Sequence, residues 1–143
     1  MLARATDGYT RTMTASPALT LYERAGGTAF FTELISRFPA GVAEDAPLRA
    51  LYPEAELAGA THRLTLFCIQ YWGGPRTYEV ERGHPRLRMR HAPFAIDRDM
   101  RDRWVTHMRA AIAEAAPPPD VAAELDAYFV RAAESMRNTG PDW

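Results

Sequence analysis

The sequence predicts an all-α domain, on three observations. From Leu21 onward, apolar residues recur every three or four positions, which is the spacing of one face of a helix. No stretch sustains the alternation of β-branched residues that marks a strand, and no Asn-Gly or Asp-Gly pair separates two apolar runs. Clusters of glycine and proline divide the chain into segments of helical length. With 143 residues, 47% of them apolar, the chain has the size of one domain with its own core.

Capping residues and glycines mark the first two helices. Thr20 is placed to cap a short helix over 21–25, which Gly26–Gly27 ends. Thr28 is placed to cap the next helix, which carries four apolar residues at helical spacing: Phe30, Leu34, Ile35 and Phe38. Pro39 follows at once. Inside a helix, proline removes a backbone donor and clashes with the carbonyl four residues earlier, which costs about 3 kcal/mol. We therefore expect this helix to kink or end just before Pro39.

The clearest amphipathic helix is predicted from about Glu54 to Trp72, after an interruption at Asp45 and Pro47. Gly73–Pro75 ends it abruptly, as two glycines and a proline should. Residues 76–86 lack a periodic pattern and are expected to be irregular. The apolar stripe of the helix is about 100° wide and consists of Leu57, Ala60, Thr61, Leu64, Phe67, Cys68 and Tyr71.

Two further helices are predicted beyond this irregular stretch. A short one over 87–91 is stopped by Pro93. A longer one begins with Asp97 or Asp99 as its cap and is broken by Pro117–Pro119. One face of the longer helix holds Met100, Trp104, Met108, Ala111, Ile112 and Ala115.

The last helix and the two termini complete the organisation. Asp120 is placed to cap a helix that Asn138–Gly140 ends and that carries Val121, Leu125, Tyr128, Ala132 and Met136. Residues 1–18 are small, polar and rich in threonine, without the apolar core of a secretory signal, so we expect a disordered extension. The domain then spans 19–138, followed by a tail over 139–143. No run of about 18 apolar residues predicts a membrane span.

The charges are unevenly distributed. The net charge is −1, which argues against a dedicated nucleic-acid binder, yet all 17 cations are arginine. Eight arginines and five acids lie between Arg76 and Arg103, an excess of three positive charges. This segment could be a nucleic-acid patch, although it lacks interleaved aromatic residues. It could also be an ordinary solvated face, or a clamp in which guanidinium groups bind a carboxylate or a phosphate.

Candidate residues for chemistry are few. The sequence has no HExxH motif and no Cys/His quartet. His62 and His107 fit surface or boundary positions, and His84 stands between Gly83 and Pro85. His91 differs, because at the end of a short helix it could ligate a metal through one nitrogen while the other donates to a backbone carbonyl of the preceding turn. A histidine that caps the helix C-terminus is the alternative.

Three other side chains could carry chemistry. One is expected to be structural only, and the other two could be structural or could bind a ligand. Cys68, on the apolar face of its helix, is expected to be a buried, inert thiol, and a single cysteine without a secretory signal suits the cytoplasm. Tyr52 and Trp104 are large aromatic residues with polar tips. They could simply pack in the core, or they could aim a hydrogen-bond donor at a ligand.

A set of irregular motifs points to one family. AGG stands at 25–27, VAED at 42–45, LYPE at 51–54 and LAGA at 57–60; the densest motifs are QYWGGPRTY at 70–78 and RGHPRLRMRHAPF at 82–94, followed by Trp104. With them, the chain from Leu21 to about Asn138 resembles the group II truncated haemoglobins. The resemblance implies an all-α truncated globin, a two-over-two helical sandwich that holds haem b.

The resemblance also implies roles for individual residues. His91, in the RHAPF motif, would be the proximal ligand of a five-coordinate haem iron whose other face stays open for a diatomic ligand. The pocket would use Tyr52, Ala60, Leu64, Phe67 and Trp104. Ala60 removes the distal donor of ordinary globins, while the indole N–H of Trp104 and the hydroxyl of Tyr52 would stabilise the ligand. Haem propionates would be reached by Arg63 and Tyr78, with Arg90 a weaker candidate.

One position departs from the family. The helix that carries Phe30–Phe38 usually ends with Phe-Tyr, whose tyrosine contacts the bound ligand; here the pair is Phe38-Pro39. Proline has no hydroxyl, so this hydrogen bond is lost, which is worth about 1–3 kcal/mol. Oxygen release is expected to be roughly 5- to 150-fold faster if the whole effect falls on dissociation, unless Tyr52 or a water fills the gap.

The expected function is reversible binding of oxygen, carbon monoxide or nitric oxide, for oxygen transport or sensing. The alternative is a haem-dependent redox enzyme, a nitric oxide dioxygenase or a peroxidase-like protein, which would need an external reductase. A haem-free helical sensor module is the third hypothesis. Most of the arginines between Arg76 and Arg103 would then be solvated surface, with a docking face for an acidic reductase as a further use. The sequence indicates no partner nucleic acid and no oligomeric state.

Overall fold

A computed structural model describes residues 18–141, so the expected extension over 1–18 lies, apart from its last residue, outside the described residues, as do 142–143. The described chain forms nine α-helices and no strand, which confirms the all-α prediction. In chain order they are α1 Leu21–Ala25, α2 Gly27–Ser36, α3 Pro39–Glu44, α4 Ala46–Arg49, α5 Ala58–Tyr71, α6 Thr77–Arg82, α7 Leu87–His91, α8 Arg98–Ala115 and α9 Pro119–Ser135.

The four longest helices form two packed pairs. Helix α2 packs against α5, α8 packs against α9, and α2 also contacts α8, which joins the pairs into the two-over-two arrangement. Phe31, Leu34 and Ile35 of α2 are fully buried between them, together with Met108 of α8 and Leu125 of α9. Because such side chains each contribute about 1.5–3 kcal/mol on burial, this junction is the main apolar core.

The first helix boundary follows the sequence closely. Thr20 and Glu23 form a reciprocal capping box, with the Glu23 N–H donating to Thr20 Oγ1 at 3.1 Å and the Thr20 N–H donating to Glu23 Oε1 at 2.9 Å. Gly26, at φ +120°, ends α1. The prediction that Thr28 caps α2 is wrong: α2 begins at Gly27, and Thr28 Oγ1 is hydrogen-bonded to the hydroxyl of Tyr22 at 2.6 Å instead.

Pro39 separates two helices, as expected. Helix α2 ends at Ser36, and Pro39 is the first residue of α3. At that position the missing N–H removes no helical hydrogen bond, and the fixed φ of proline suits the first turn. The chain therefore avoids the cost of a proline inside a helix by starting a new one.

The fifth helix is shorter than predicted. It begins at Ala58 rather than near Glu54, because the Arg49 guanidinium donates to the carbonyls of Tyr52, Glu54 and Ala55 at 3.0, 2.8 and 2.9 Å and holds that segment non-helical. It ends at Tyr71, before the predicted glycines. Tyr71 was predicted to belong to the apolar stripe of this helix, but it is 48% exposed, so that prediction is wrong for this residue.

The structure replaces one predicted loop by a helix and settles two caps. Residues 77–82 are helical, although only Tyr78 of them is buried. Asp97 caps α8, since its side chain accepts from the Met100 N–H at 2.9 Å. Helix α9 begins at Pro119, so Asp120 lies in the first turn rather than at the cap.

Candidate functional site

One cavity of 540 Å³ lies inside the helical sandwich. Its walls come from α3 to α9 and from the segments that join them. The volume falls in the range of pockets that hold cofactors and other small molecules, about 300–1,000 Å³. All nine residues expected at the site line this single cavity: Tyr52, Ala60, Arg63, Leu64, Phe67, Tyr78, Arg90, His91 and Trp104. The structure thus brings together side chains from four helices and one loop.

His91 is oriented by its own helix. It is the last residue of α7, and its Nδ1 donates to the carbonyl of Leu87, four residues earlier, at 2.7 Å. Because a carbonyl oxygen can only accept, Nδ1 carries a proton, and in the neutral imidazole Nε2 is then the nitrogen with a free lone pair. The His91 side chain is half-buried on the cavity wall, so this lone pair is available to a metal ion.

Asn138 holds the segment after His91, a role that sequence reasoning missed. Its Nδ2 donates to the carbonyl of Phe94 at 2.8 Å and to that of His91 at 3.4 Å. Its Oδ1 accepts from the Ile96 N–H, and its own N–H donates to the Ile96 carbonyl, both at 2.9 Å. One side chain therefore ties the chain beyond α9 to the loop that follows α7. Its position just past the last helix was the only available signal.

Tyr52 and Trp104 bring polar tips to the cavity wall. Burial raises the pKa of Tyr52, with an opposing contribution from the neighbouring Trp104 indole. The Tyr52 hydroxyl therefore stays protonated at neutral pH. Phe38 packs edge-on against Trp104 at 5.2 Å between ring centroids, and Pro39, the next residue, also lines the cavity. Tyr52, Trp104 and Pro39 thus all border the cavity.

Helix α5 contributes an apolar wall. Ala60, Leu64 and Phe67 all line the cavity. Phe67 contacts the ring of Tyr78 edge-on at 5.8 Å, and Tyr78 is only 4% exposed. Small Ala60 widens the space that larger side chains would fill. Helix α5 therefore divides its residues between this cavity and the main core, where Cys68 and Ile69 are buried.

The two arginines expected to reach carboxylates differ in what they already bind. Arg63 forms an ion pair with Glu54 through Nη2, which lowers the pKa of Glu54; among residues 18–141 the other Arg63 nitrogens have no hydrogen-bond partner. Arg90 donates from Nε to the carbonyl of Pro85 at 2.7 Å and from Nη2 to that of Arg82 at 2.8 Å. Arg63 is therefore the better placed of the two for a further anion, and Glu54 is a partner that the sequence did not reveal.

A charged cluster behind Trp104 was also missed. Asp45, between α3 and α4, accepts from His107 Nε2 and from Arg103 Nη1, both at 2.8 Å. The hydrogen bond from His107 lowers the pKa of Asp45; burial opposes this effect and Arg103 adds to it. Gly41 packs so closely that a Cβ there would lie 2.5 Å from His107 Nδ1. The cluster fixes α3 and α4 against α8.

The remaining candidate residues, Cys68 and the other histidines, do not form a metal site built from protein side chains alone. Within residues 18–141 no three His, Cys, Asp or Glu side chains come together to hold a metal ion. Cys68 is fully buried, as predicted, and burial raises its pKa. His62 is exposed beside Glu81. None of the described helices has the length and hydropathy that a membrane crossing requires.

Comparison with known proteins identifies the family. The profile of the bacterial-like globins matches residues 20–138. The chain belongs to the bacterial-like globin family. This globin is similar to a thermostable haemoglobin from Thermobifida fusca: 54% identity, 85% of this chain, 98% of that one, and a TM-score of 0.83. It is also similar to the group II 2-on-2 haemoglobin from Agrobacterium tumefaciens, at 32% identity over 88% of this chain and 99% of that one, with a TM-score of 0.82.

A curated relative agrees on the subgroup. The globin is 35% identical over 86 residues to group 2 truncated haemoglobin YjbI from Bacillus subtilis. The aligned part covers 60% of this globin and 64% of that relative's length. The resemblance to the group II truncated haemoglobins and the two-over-two fold are therefore confirmed.

Membership of a globin family implies a haem cofactor, and the cavity fits one. A single histidine can hold a metal ion when the other ligands of that ion come from elsewhere. In haem, the porphyrin supplies those ligands. The side chains around that histidine are largely apolar, and Arg63 stands among them with nitrogens available for a carboxylate. The residues thus match the chemistry of a flat apolar macrocycle with acidic edges.

Proposed function

We propose that this globin binds haem b through His91 as a five-coordinate iron and reversibly binds oxygen, carbon monoxide or nitric oxide. The observation that carries the proposal is the hydrogen bond from His91 Nδ1 to the Leu87 carbonyl at 2.7 Å. It leaves Nε2 as a neutral ligand atom on the cavity wall. Oxygen transport or sensing is the role that such a protein would have.

The residues of the chain would divide the work between the two sides of the cavity. Haem supplies the iron that takes the diatomic ligand. His91 would hold that iron from one side, and Asn138 keeps the loop after it in place. On the other side, Trp104 can only donate a hydrogen bond, and Tyr52 keeps its proton because burial raises its pKa. Both favour a ligand with partial negative charge.

The cavity edges would orient the cofactor. We propose that Arg63 meets a propionate with the nitrogens that Glu54 does not use, and that Tyr78 lies against the macrocycle edge. Arg90 would contribute less, since two of its nitrogens already bind backbone carbonyls. Ala60, Leu64 and Phe67 would exclude water and leave room for the ligand.

The proposal also covers the extent and location of the protein. We take 19–138 as the haem-binding domain and the cytoplasm as its compartment, because a single cysteine suits a reducing environment.

A haem titration with a matched pair of variants tests the proposal. The purified chain should develop a Soret band with haem, and His91→Gly should lose it and regain it with added imidazole. The control His62→Gly, which removes an exposed histidine, should behave like the wild type. Carbon monoxide should then shift the Soret band of the ferrous protein reversibly. Absence of a Soret band, or normal haem binding by His91→Gly without imidazole, would contradict the proposal.

Measuring continuous substrate consumption distinguishes a ligand-binding protein from the alternative, a redox enzyme. A nitric oxide dioxygenase or a peroxidase-like protein must consume its substrate continuously when an external reductase is supplied. We expect consumption by the holo-protein no faster than that by free haem. Faster consumption would replace the transport or sensing role by the enzymatic one without affecting the assignment of His91.

A further inference from the structure

We propose that the arginines around α7 form a docking surface for an acidic electron-donor protein. This inference rests on the proposed haem function and names a partner for it. The surface, called here the α7 arginine face, consists of Arg82, Arg86, Arg88 and Arg90. These residues are part of the positive excess between Arg76 and Arg103.

The α7 arginine face differs from most of the other described arginines in what it binds. In the part of the chain that the structure describes, none of its four members pairs with a carboxylate. Arg88 Nε donates to the Ser135 carbonyl at 3.0 Å, and Arg90 binds carbonyls of the loop before α7. By contrast, eight arginines elsewhere have acidic partners: Arg24, Arg37, Arg63, Arg76, Arg101, Arg103, Arg109 and Arg137.

The nearest acids do not neutralise this face. Glu79 is paired with Arg76, and Glu81 lies 3.2 Å from His62 Nε2. From Arg82 to Arg90 the sequence holds four arginines and no acid. A patch of one sign raises the local concentration of an oppositely charged partner and can increase its association rate by 10- to 1,000-fold. The surface is therefore suited to steer an acidic protein.

The face lies on the outside of a cavity wall. Arg82, Arg86 and Arg88 are exposed, while Arg82 and Arg90 also line the cavity next to His91. One short segment thus separates the solvent from the residue that would hold the iron. A protein docked here would approach the haem from the His91 side and leave the ligand side, with Tyr52, untouched.

Exposed apolar side chains complete the surface. Met89, within α7, is 60% exposed, and Val80 of the preceding helix is 85% exposed. Apolar contacts surrounded by charges are what a protein partner needs, and electron-transfer complexes are small and transient. An anionic membrane is less well matched, since α7 has only five residues and forms no long amphipathic helix. Nucleic acid is less well matched because exposed aromatic side chains do not interleave with these arginines.

The chemical step is a one-electron transfer. The reduced flavin or iron–sulphur centre of the partner would lose one electron, and haem held by His91 would supply the iron that accepts it. No covalent bond forms or breaks in this step. The partner is therefore an acidic flavoprotein or an acidic iron–sulphur protein.

Stopped-flow reduction of the ferric holo-protein by reduced flavodoxin, an acidic flavin protein, tests the proposal. The variant Arg86→Gln/Arg88→Gln leaves unchanged Arg82 and Arg90, the two members of the face that line the cavity. The control Arg109→Gln/Arg131→Gln changes the net charge equally on other helices. At low ionic strength we expect the first variant to react at least about 10-fold more slowly than wild type, with a flatter salt dependence, and the control to react within about 2-fold of it.

Two further measurements keep the outcomes distinct. Reduction by dithionite and the Soret band should be the same in all three proteins, since they report on the haem and not on docking; loss of the band in the wild type would overturn the haem proposal itself. Titration calorimetry with oxidised flavodoxin should show binding that the first variant alone weakens. Equal losses in both double variants, or a salt-independent rate, would overturn the docking surface. The docking surface would also be overturned if the first variant bound flavodoxin as the wild type does but bound anionic vesicles or duplex DNA more weakly.

Discussion

Asp45 and His107, which are 62 positions apart in the sequence, join the α3–α4 junction to helix α8 through a hydrogen bond of 2.8 Å. The Asp45 side chain is only 10% exposed and also accepts from Arg103. Arg103 and His107 flank Trp104 on α8, at one position before it and three after it. The carboxylate therefore fixes the stretch of helix that presents Trp104 to the cavity.

Asp45→Asn is expected to loosen Trp104. The amide offers a single acceptor oxygen and no charge to two donors, so the melting temperature should fall and ligand dissociation from the holo-protein should accelerate by about 2- to 10-fold. Flash photolysis, differential scanning calorimetry and the Fe–CO stretching frequency measure these effects. Glu44→Gln removes the neighbouring, exposed carboxylate and should change none of them. An unaltered Fe–CO frequency in Asp45→Asn would show that the cluster stabilises the fold without positioning Trp104.

The same carboxylate predicts a pH dependence of stability. Its pKa is lowered in the folded protein, first by the hydrogen bond from His107, so folding favours the charged form. The contribution is then complete above the unfolded pKa, about 3.9, and is lost as the pH falls through the lower folded value. Urea unfolding of wild type and Asp45→Asn between about pH 2 and pH 7 should give a stability difference that is largest near neutrality and disappears in acid. A difference independent of pH would contradict this assignment.

Pro39→Tyr should slow oxygen dissociation. Pro39 lines the cavity at the first position of α3, where tyrosine is tolerated, and the new hydroxyl can donate to the ligand. A regained hydrogen bond of about 1–3 kcal/mol corresponds to a roughly 5- to 150-fold slower release. Pro39→Phe provides the same bulk without the hydroxyl and should remain fast. Equal rates for the two variants in stopped flow would mean that position 39 does not face the ligand.

Asn138→Ala should weaken the His91 side of the site. The substitution removes three side-chain hydrogen bonds and leaves a backbone N–H and carbonyls of the loop without their partner, at a cost of about 1–3 kcal/mol. Haem transfer from the holo-protein to a scavenging apoglobin should therefore become several-fold faster. Thr139→Ala, at the exposed neighbouring position, is the control. Unchanged transfer in Asn138→Ala would refute a positioning role for this side chain.

Local chemistry made much of the fold predictable. The Thr20 cap and the break at Pro39 depend on residues close in sequence and follow from the residue type, while the sequence narrowed the cap of α8 to Asp97 or Asp99. Helix α6 escaped prediction because it buries only Tyr78 and exposes Val80, so its apolar residues form no stripe. A helix of this kind is defined by its tertiary neighbours rather than by its own sequence.

The candidate site was also predictable only in part. The family resemblance, carried by motifs from 25 to 104, predicted the residues that line the cavity, because such motifs preserve which positions meet there. The supports of those residues were not predictable, since Asn138 reaches His91 across 47 positions and Asp45 reaches His107 across 62. Such pairs leave no periodic or motif signal, and only the packed helices bring them together. Glu54 is the milder case: it lies nine positions from Arg63, but the segment between them is not one continuous helix.

Cys68 gives the molecule a built-in reporter. It is the single thiol of the chain and a completely buried residue of α5, and burial raises its pKa. A thiol reagent in the solvent can reach it only when the helices separate, so its labelling rate measures how often the interior opens. Any cysteine introduced on the surface would therefore react alone, which allows a spin label or a fluorophore to be attached without first removing the native residue.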